Sequence, residues 1–532
     1  MRRRRVAALG VAAISAAGLV SGCGDREPTP VPGAAAPSTS TAALQPDQAA
    51  GVAIPRGRVE HILGTLEYRA EELMRTTSIP GMAVAVVYDG EVVYEKGFGV
   101  RDVDGRQPVN TETVFQLASL SKPVGATVVA RQVDAGVVQW DTPVRRPAPW
   151  FALNDPYVSD HVTVGDLYAH RSGLPEHAGD KLEDLGFDRA QIMERLRMLP
   201  LAPFRDSYAY TNFGLTAAAM AVADAAKQRW SALSEQSIYR PLGMSSTSSR
   251  YVDFLAAGDR ASGHVLVDGE YRPAQPGRQP DAQSPAGGVS SSVSDMAQWM
   301  MMVLANGKHG GEQLVAPEAL LPAVSPQSVS SPPSAPDARA GDYGFGFNVG
   351  NSAAGRVVLS HSGAFDQGAA TAMTMIPSAN VGIVTLTNAA PVGVPETLNA
   401  EFADLVQFGE VRQNWWELYS KAFEQLNAPV GDLVGAPPPA APAPARPLED
   451  YAGSYDSDYF GPAAVSVDGD SLLLTMGPRH VAMPLRHRDG DTFVFSPVGE
   501  SANPGSVSQA RFDGDRLWLE FYDSEGFGTF VR

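Results

Sequence analysis

Ser119-Leu120-Ser121-Lys122 places a hydroxyl and an amine three residues apart. A serine hydroxyl hardly ionises near neutral pH, so it becomes a nucleophile only beside a group that takes its proton. Helical positions i and i+3 share a face, which lets the Lys122 amine approach the Ser119 oxygen. Lysine is scarce here: there are six in 532 residues, and only Lys122 has a serine three positions upstream. Taken alone, the tetrapeptide is equally an ordinary helix start with a solvated lysine. Two later groups change its weight. Tyr210-Thr211-Asn212 offers a phenol that can shuttle a proton and an amide that can both donate and accept at a substrate carbonyl. His361-Ser362-Gly363 offers an imidazole that could bind a carboxylate or relay a proton, and a glycine that would let a substrate backbone come close.

The elements that must position these groups can be read from periodicity. Ile62, Leu66, Ala70, Leu73 and Met74 recur at helical spacing, predicting a helix near Arg58 to Arg75. Met82 to Tyr88 and Glu91 to Tyr94 read as strands joined by an Asp89-Gly90 turn. Pro123 cannot sit deep in a helix that runs through Ser119, so that helix is expected to begin at about Ser119 and run through Val133. The Ser119 side chain then lies near the helix's positive end. Residues 135 to 300 are mostly helical in pattern, and strands return at Arg356 to Leu359, Thr371 to Ile376 and Val381 to Thr387. Strands from both ends of a domain with helices between them predict an α/β fold, an antiparallel sheet flanked by helices with an α-helical subdomain. Residues 431–447 are a Pro/Ala-rich linker. From 448 to 532, short strands alternate with Asp-Gly and Gly-Asp turns, which predicts a small all-β, barrel-like module.

Composition excludes some functions. The formal charge is −18, and loss of Arg2 to Arg5 with an export segment lowers it by four, to −22. So acidic a chain repels phosphate backbones, which argues against nucleic acid as a partner. Residues 1–22 have the form of an export signal: a run of arginines, a short apolar stretch and small residues before Cys23, the only cysteine. The pattern resembles a bacterial lipobox, which implies lipidation of Cys23 and an exported lipoprotein anchored to an envelope membrane. Residues 23–57 then read as a disordered Pro/Ala/Ser/Thr tether, ahead of a domain over 58–430.

The order Ser-x-x-Lys, Tyr-x-Asn, His-x-Gly resembles the penicillin-recognising serine hydrolases: class C β-lactamases, DD-peptidases, D-aminopeptidases and related esterases. Pro80 to Ala85, Lys96 to Gly99, His170-Arg171-Ser172-Gly173-Leu174-Pro175, Pro241-Leu242-Gly243-Met244, Tyr343 to Phe347 and Gly382 to Asn388 extend the likeness over roughly residues 58 to 410. The resemblance implies that Ser119 forms an acyl-enzyme while Lys122 and Tyr210 manage its proton, either being the base. It implies that Asn212 orients a substrate amide, that His361, Ser362 and Gly363 line the far wall of the cleft, and that the N–H groups of Ser119 and Ala364 form an oxyanion hole. Class C β-lactamases usually carry lysine where this chain has His361. That departure ranks a peptidase or amidase acting on D-amino-acid peptides ahead of an esterase or a β-lactamase. A non-catalytic envelope binding lipoprotein is the alternative from another class, and it has no need of all five polar residues. An α/β-hydrolase is excluded, because no serine lies in Gly-x-Ser-x-Gly. No cofactor or metal is implied. The resemblance implies a small-molecule or peptide substrate.

Overall fold

The computed structural model describes residues 48–532. The expected export signal, Cys23 and most of the expected tether lie outside them. Eight antiparallel strands form the main sheet: β1 (Gly81–Tyr88), β2 (Glu91–Gly99), β3 (Ser328–Ser331), β4 (Gly341–Tyr343), β5 (Asn348–Asn351), β6 (Val357–Phe365), β7 (Ala369–Ile376) and β8 (Val381–Thr387). Their order is β2-β1-β8-β7-β6-β5-β4-β3, so the N-terminal hairpin joins the C-terminal strands through β1 and β8. β1 is apolar on both faces because both are covered. Met82, Val84 and Val86 pack with Ile62 and Leu66 of α1 (Arg58–Thr77) and with C-terminal helix residues such as Phe402. Ala83, Ala85 and Val87 face the core shared with the helical subdomain.

The hairpin turn lies at Asp89-Gly90, both residues in the left-handed region that Asp and Gly tolerate. α1 runs as its periodicity predicts. Two expectations are corrected. The second helix, α2 (Ser121–Asp134), starts two residues later than expected, and Ser119 sits in a preceding 3₁₀ turn, Ala118–Leu120. Pro123 lacks an N–H, which is harmless only in a helix's first turn, and the later start keeps it there. The end of the expected tether is also not free. Gly51 N–H donates to Ala354 O at 2.9 Å, Arg356 donates to Val52 O at 2.8 Å, and Ile54 packs on the α1 core.

The C-terminal strands close into an eight-stranded barrel from Gly453–Ser457 to Thr529–Val531. The Gly-Asp turns at 469–470, 490–491 and 514–515 link successive strands, with each glycine at positive φ. The barrel's inner residues, among them Tyr455, Leu474, Phe493 and Phe512, are buried. Part of the Pro/Ala stretch lies along it, with Ala443 N–H donating to Asp489 at 2.7 Å and Ala443 O accepting from Gly490 N–H at 2.9 Å.

The barrel grips one short helix of the hydrolase unit, α3 (Asp180–Asp184). Glu500 and Ser501 N–H donate to the Asp184 carboxylate at 2.9 Å each, and Lys181 donates to Phe521 O at 2.6 Å. Arg479 donates to Glu183 O at 2.5 Å. Glu500 also accepts from Asp366 N–H at 2.6 Å, at the β6–β7 turn. Burial pushes the Glu500 carboxyl up. Arg278 opposes the shift, and Asp366 and Asp184 add to it. Burial raises Asp366 and Asp184 as well.

A carboxyl with a raised folded-state pKa binds more protons folded than unfolded, so its contribution falls as pH rises past the ordinary range near 4.3. Glu500→Gln keeps the acceptor for Asp366 and removes the titration. We expect wild type to lose thermal stability from pH 5 to pH 8 and the variant to lose about 2–4 °C less over that range. Parallel melting curves for the two proteins across the range would contradict this account.

Candidate active site

Ser119 is presented by a strained turn. Ala118 has φ +48°, a left-handed conformation that costs a non-glycine residue on the order of 1–2 kcal/mol. The turn is held against β6 at Gly363, where a Cβ would collide with the Leu117 carbonyl and lie 2.9 Å from Leu120 N. Only glycine permits that approach.

Lys122 is fully buried. Its Nζ contacts Asn212 Oδ1 at 2.7 Å, Ser119 Oγ at 2.9 Å and Ala286 O at 3.0 Å. Burial pushes its pKa from 10.5 down to about 7, although the Asp180 charge pulls it upward. A large share of these lysines is therefore neutral near pH 7. A neutral amine has two hydrogens and a lone pair. The amide oxygen and the carbonyl can only accept, so they take the two hydrogens. The lone pair is left for the one neighbour that can donate, the Ser119 hydroxyl.

Tyr210 and Asn212 reach the same place from one segment. Asn212 is the first residue of α4 (Asn212–Ala225), and Tyr210 lies in the extended stretch before it. Buried Asp166 ties down the loops that lead there, accepting from Arg205 at 2.7 Å and from Arg171 at 2.8 Å. His170 accepts from Thr211 N–H at 3.1 Å. The Tyr210 ring lies beneath the Lys122 amine, 4.5 Å from Nζ to the ring centroid. Burial raises the Tyr210 phenol, although the nearby Ser119 hydroxyl favours its ionised form. Tyr210 therefore stays protonated.

Three residues here are not singled out individually by the sequence reading. Asp180 Oδ2 accepts from Asn212 Nδ2 at 2.8 Å and from His177 Nδ1 at 2.8 Å. That bond fixes the Asn212 amide with its oxygen toward Lys122. His170 lies in the His-Arg-Ser-Gly-Leu-Pro stretch, its ring centroid 4.6 Å from that of Tyr210. His177 and Asp180 follow that stretch within ten residues, and this proximity is the only sequence signal for them.

The third motif departs from expectation in two ways. His361 is buried, with Nδ1 2.7 Å from Ser362 O and Nε2 2.9 Å from Tyr343 Oη. A carbonyl only accepts, so Nδ1 carries the proton and Nε2 accepts from the phenol. Burial and then the Lys122 charge hold its pKa down to about 3, so it is a neutral hydrogen-bonded ring and offers no charge to a carboxylate. Ser362 is the second departure. Strand alternation turns its side chain to the other face of the sheet, beside Glu396. Gly363 faces the Ser119 turn, and Ala364 follows it on the same strand. β5 pairs with β6 only as far as Ser360, whereas β7 pairs through Phe365, so the strand edge from His361 to Phe365 carries no β5 partner.

Residues 66–408 match the family model described as Beta-lactamase, and residues 437–522 match a Domain of unknown function (DUF3471). Among curated proteins, the chain is 27% identical to the Unguisins hydrolase ungD of Aspergillus violaceofuscus, over 88% of this chain and 92% of that one. It is 25% identical to Penicillin-binding protein 4* of Bacillus subtilis, over 52% of this chain and 60% of that one. Among solved structures, the octameric penicillin-binding protein homologue from Pyrococcus abyssi superposes with a TM-score of 0.56 at 21% identity. That match covers 88% of this chain and all of the other, so the fold likeness extends into the barrel.

If neutral Lys122 is the form that accepts the Ser119 proton, kcat/KM for a p-nitrophenyl ester should rise with pH through a midpoint near 7. Asp180 raises the lysine, so Asp180→Asn should move that midpoint down by about one pH unit, the scale of one nearby charge. His361→Gln should leave it in place, since the ring is already neutral there. A midpoint that ignores Asp180→Asn, or disappears in His361→Gln, would assign the titration to another group.

Proposed function

The chain belongs to the Beta-lactamase family and is a serine hydrolase, and on that premise we propose that it cleaves D-amino-acid-containing peptides or amides through an acyl-enzyme on Ser119. The observation that carries the reaction is the buried Lys122 amine 2.9 Å from Ser119 Oγ, whose two other partners among the described residues can only accept. Lys122 takes that proton as Oγ attacks the carbonyl. The N–H groups of Ser119 and Ala364 receive the developing oxyanion, each worth about 3 kcal/mol in such a site. Asn212, locked by Asp180, holds the substrate amide. Tyr210 remains a phenol and acts as a donor rather than as the base. Water then attacks the ester and regenerates Ser119.

The stretch of β6 from His361 to Phe365 supports a peptide substrate, because backbone groups that have no β5 strand beside them can pair with an extended chain. The neutral His361 supports the same ranking. A β-lactam carboxylate is recognised best by a fixed positive charge, and the third motif supplies none.

Against D-aminoacyl p-nitroanilides, p-nitrophenyl esters and a chromogenic cephalosporin, we expect anilide turnover to exceed cephalosporin turnover. Ser119→Ala should lower all three by at least about 10³-fold, and intact-mass analysis after an acylating probe should place one adduct on Ser119. Faster cephalosporin cleavage would favour a β-lactamase, esters alone would favour an esterase, and full activity without Ser119 would defeat the mechanism.

We also propose that Cys23 carries a lipid and tethers the protein to an envelope membrane. The support is the run Arg2 to Arg5, the short apolar stretch and the small residues before Cys23. In a bacterial host, Cys23→Ser should shift the protein from the membrane pellet to the soluble fraction. An unchanged distribution would rule the anchor out.

A further inference from the structure

Three imidazoles lie around Tyr210 and Lys122, and they differ in access. His170 and His361 are buried, whereas 45% of the His177 side chain is exposed. His177 is held in place from two directions. Its backbone has φ +57°, and its N–H donates to Tyr210 O at 2.8 Å, tying it to the segment that carries Tyr210 and Asn212. Its Nδ1 lies 2.8 Å from Asp180 Oδ2, and its ring centroid is 5.9 Å from that of Tyr210. A carboxylate only accepts, so Nδ1 carries a proton and Nε2 is the free position, bonded to nothing among the described residues. One carboxylate thus orients both Asn212, which holds Lys122, and His177. The Lys122 step makes no use of the imidazole.

We propose that His177, oriented by Asp180, is a second acid–base residue of this site and protonates the leaving group as the acyl-enzyme forms. The inference rests on the Ser119 acyl-enzyme reading. When the tetrahedral adduct collapses, the bond from carbon to the leaving nitrogen or oxygen breaks and its electron pair goes to that atom. The atom takes the Nε2 proton, the carbonyl reforms, and solvent reprotonates the imidazole. The local charges suit an acid. Partial burial lowers the imidazole, but the hydrogen bond that it donates to Asp180 and the charges of Asp180 and Glu176 outweigh it, with Lys122 opposing, so the net shift is upward. Tyr210 and His170, the other titratable groups facing it, remain a phenol and a neutral ring. The division of labour is chemically sensible: Lys122 must be neutral to accept a proton, and His177 must be charged to give one.

The test is a leaving-group series on one acyl part: p-nitrophenyl, phenyl and ethyl esters, and the p-nitroanilide. A p-nitrophenolate departs without a proton, whereas ethoxide and an amine do not. His177→Asn suits the left-handed backbone, and His177→Gln retains more of the side-chain length. In both variants we expect the ethyl ester, and the anilide if wild type cleaves it, to slow by about 10²-fold, with p-nitrophenyl ester changing by less than about threefold. Wild-type ethyl-ester activity should also fall on the alkaline side as the imidazolium is lost, and the variants should lack that limb. Fluorophosphonate labelling of Ser119 checks that each variant retains a formed site. Equal losses across the series, or none, would overturn the role of His177. A wild-type protein that cleaves no member, or a Ser119→Ala variant that cleaves them all, would instead overturn the acyl-enzyme reading and this inference with it.

Discussion

A lysine removed entirely from water is the constraint on which this site depends. An unpaired buried ammonium costs several kcal/mol, and here the cost is limited by filling all three hydrogen-bond positions and by partial loss of the charge. The fall from 10.5 to about 7 corresponds to a penalty on the charged form of about 5 kcal/mol relative to a lysine in water. The three partners come from separate parts of the chain: the turn before α2, the start of α4 and the Ala286 carbonyl. Holding one amine therefore brings together segments more than 160 residues apart. It also makes the base reactive at neutral pH.

The sheet serves this arrangement mainly by close approach. Gly363 lets β6 press against the Ser119 turn, and that pressure helps hold Ala118 in a conformation it would otherwise avoid. The same packing explains the neutral His361. Enclosed beside Lys122 and bonded to Tyr343 and its own neighbour's carbonyl, the ring has no room for a second charge. A lysine and a histidine at this position are thus different devices. One is a cation; the other, here, is a polar strut between β6 and β4.

The barrel extends the same logic outward. It holds α3 through Asp184, Lys181 and the Glu183 carbonyl, and α3 begins with Asp180, the carboxylate that orients Asn212 and His177. The barrel, whose core is continuous with that of the hydrolase unit, thereby buttresses the rim of the site through five residues of helix. The contact crowds Glu183, Asp184 and Glu500 around one arginine, Arg278, with Asp366 beside Glu500, so the hold on α3 is expected to vary with protonation.

The sequence alone determined what short-range rules govern. The helix at Arg58, the Asp89-Gly90 hairpin, strands β6 to β8 and the turn-punctuated barrel follow from periodicity and turn chemistry, which act over a few residues. The identities of Ser119, Lys122, Tyr210 and Asn212 were legible because their types and order are unusual together. Strands β3 to β5 were not, since short segments rich in Gly, Ser and Asn carry no alternating pattern and exist only through pairing. The tertiary structure decided everything that depends on burial and orientation. It turned Ser362 away from the cleft, made His361 neutral, and brought Asp180, His177 and His170 to Tyr210 and Asn212. None of these could be read locally, because a side chain's charge and direction are set by atoms that the fold brings from elsewhere in the chain.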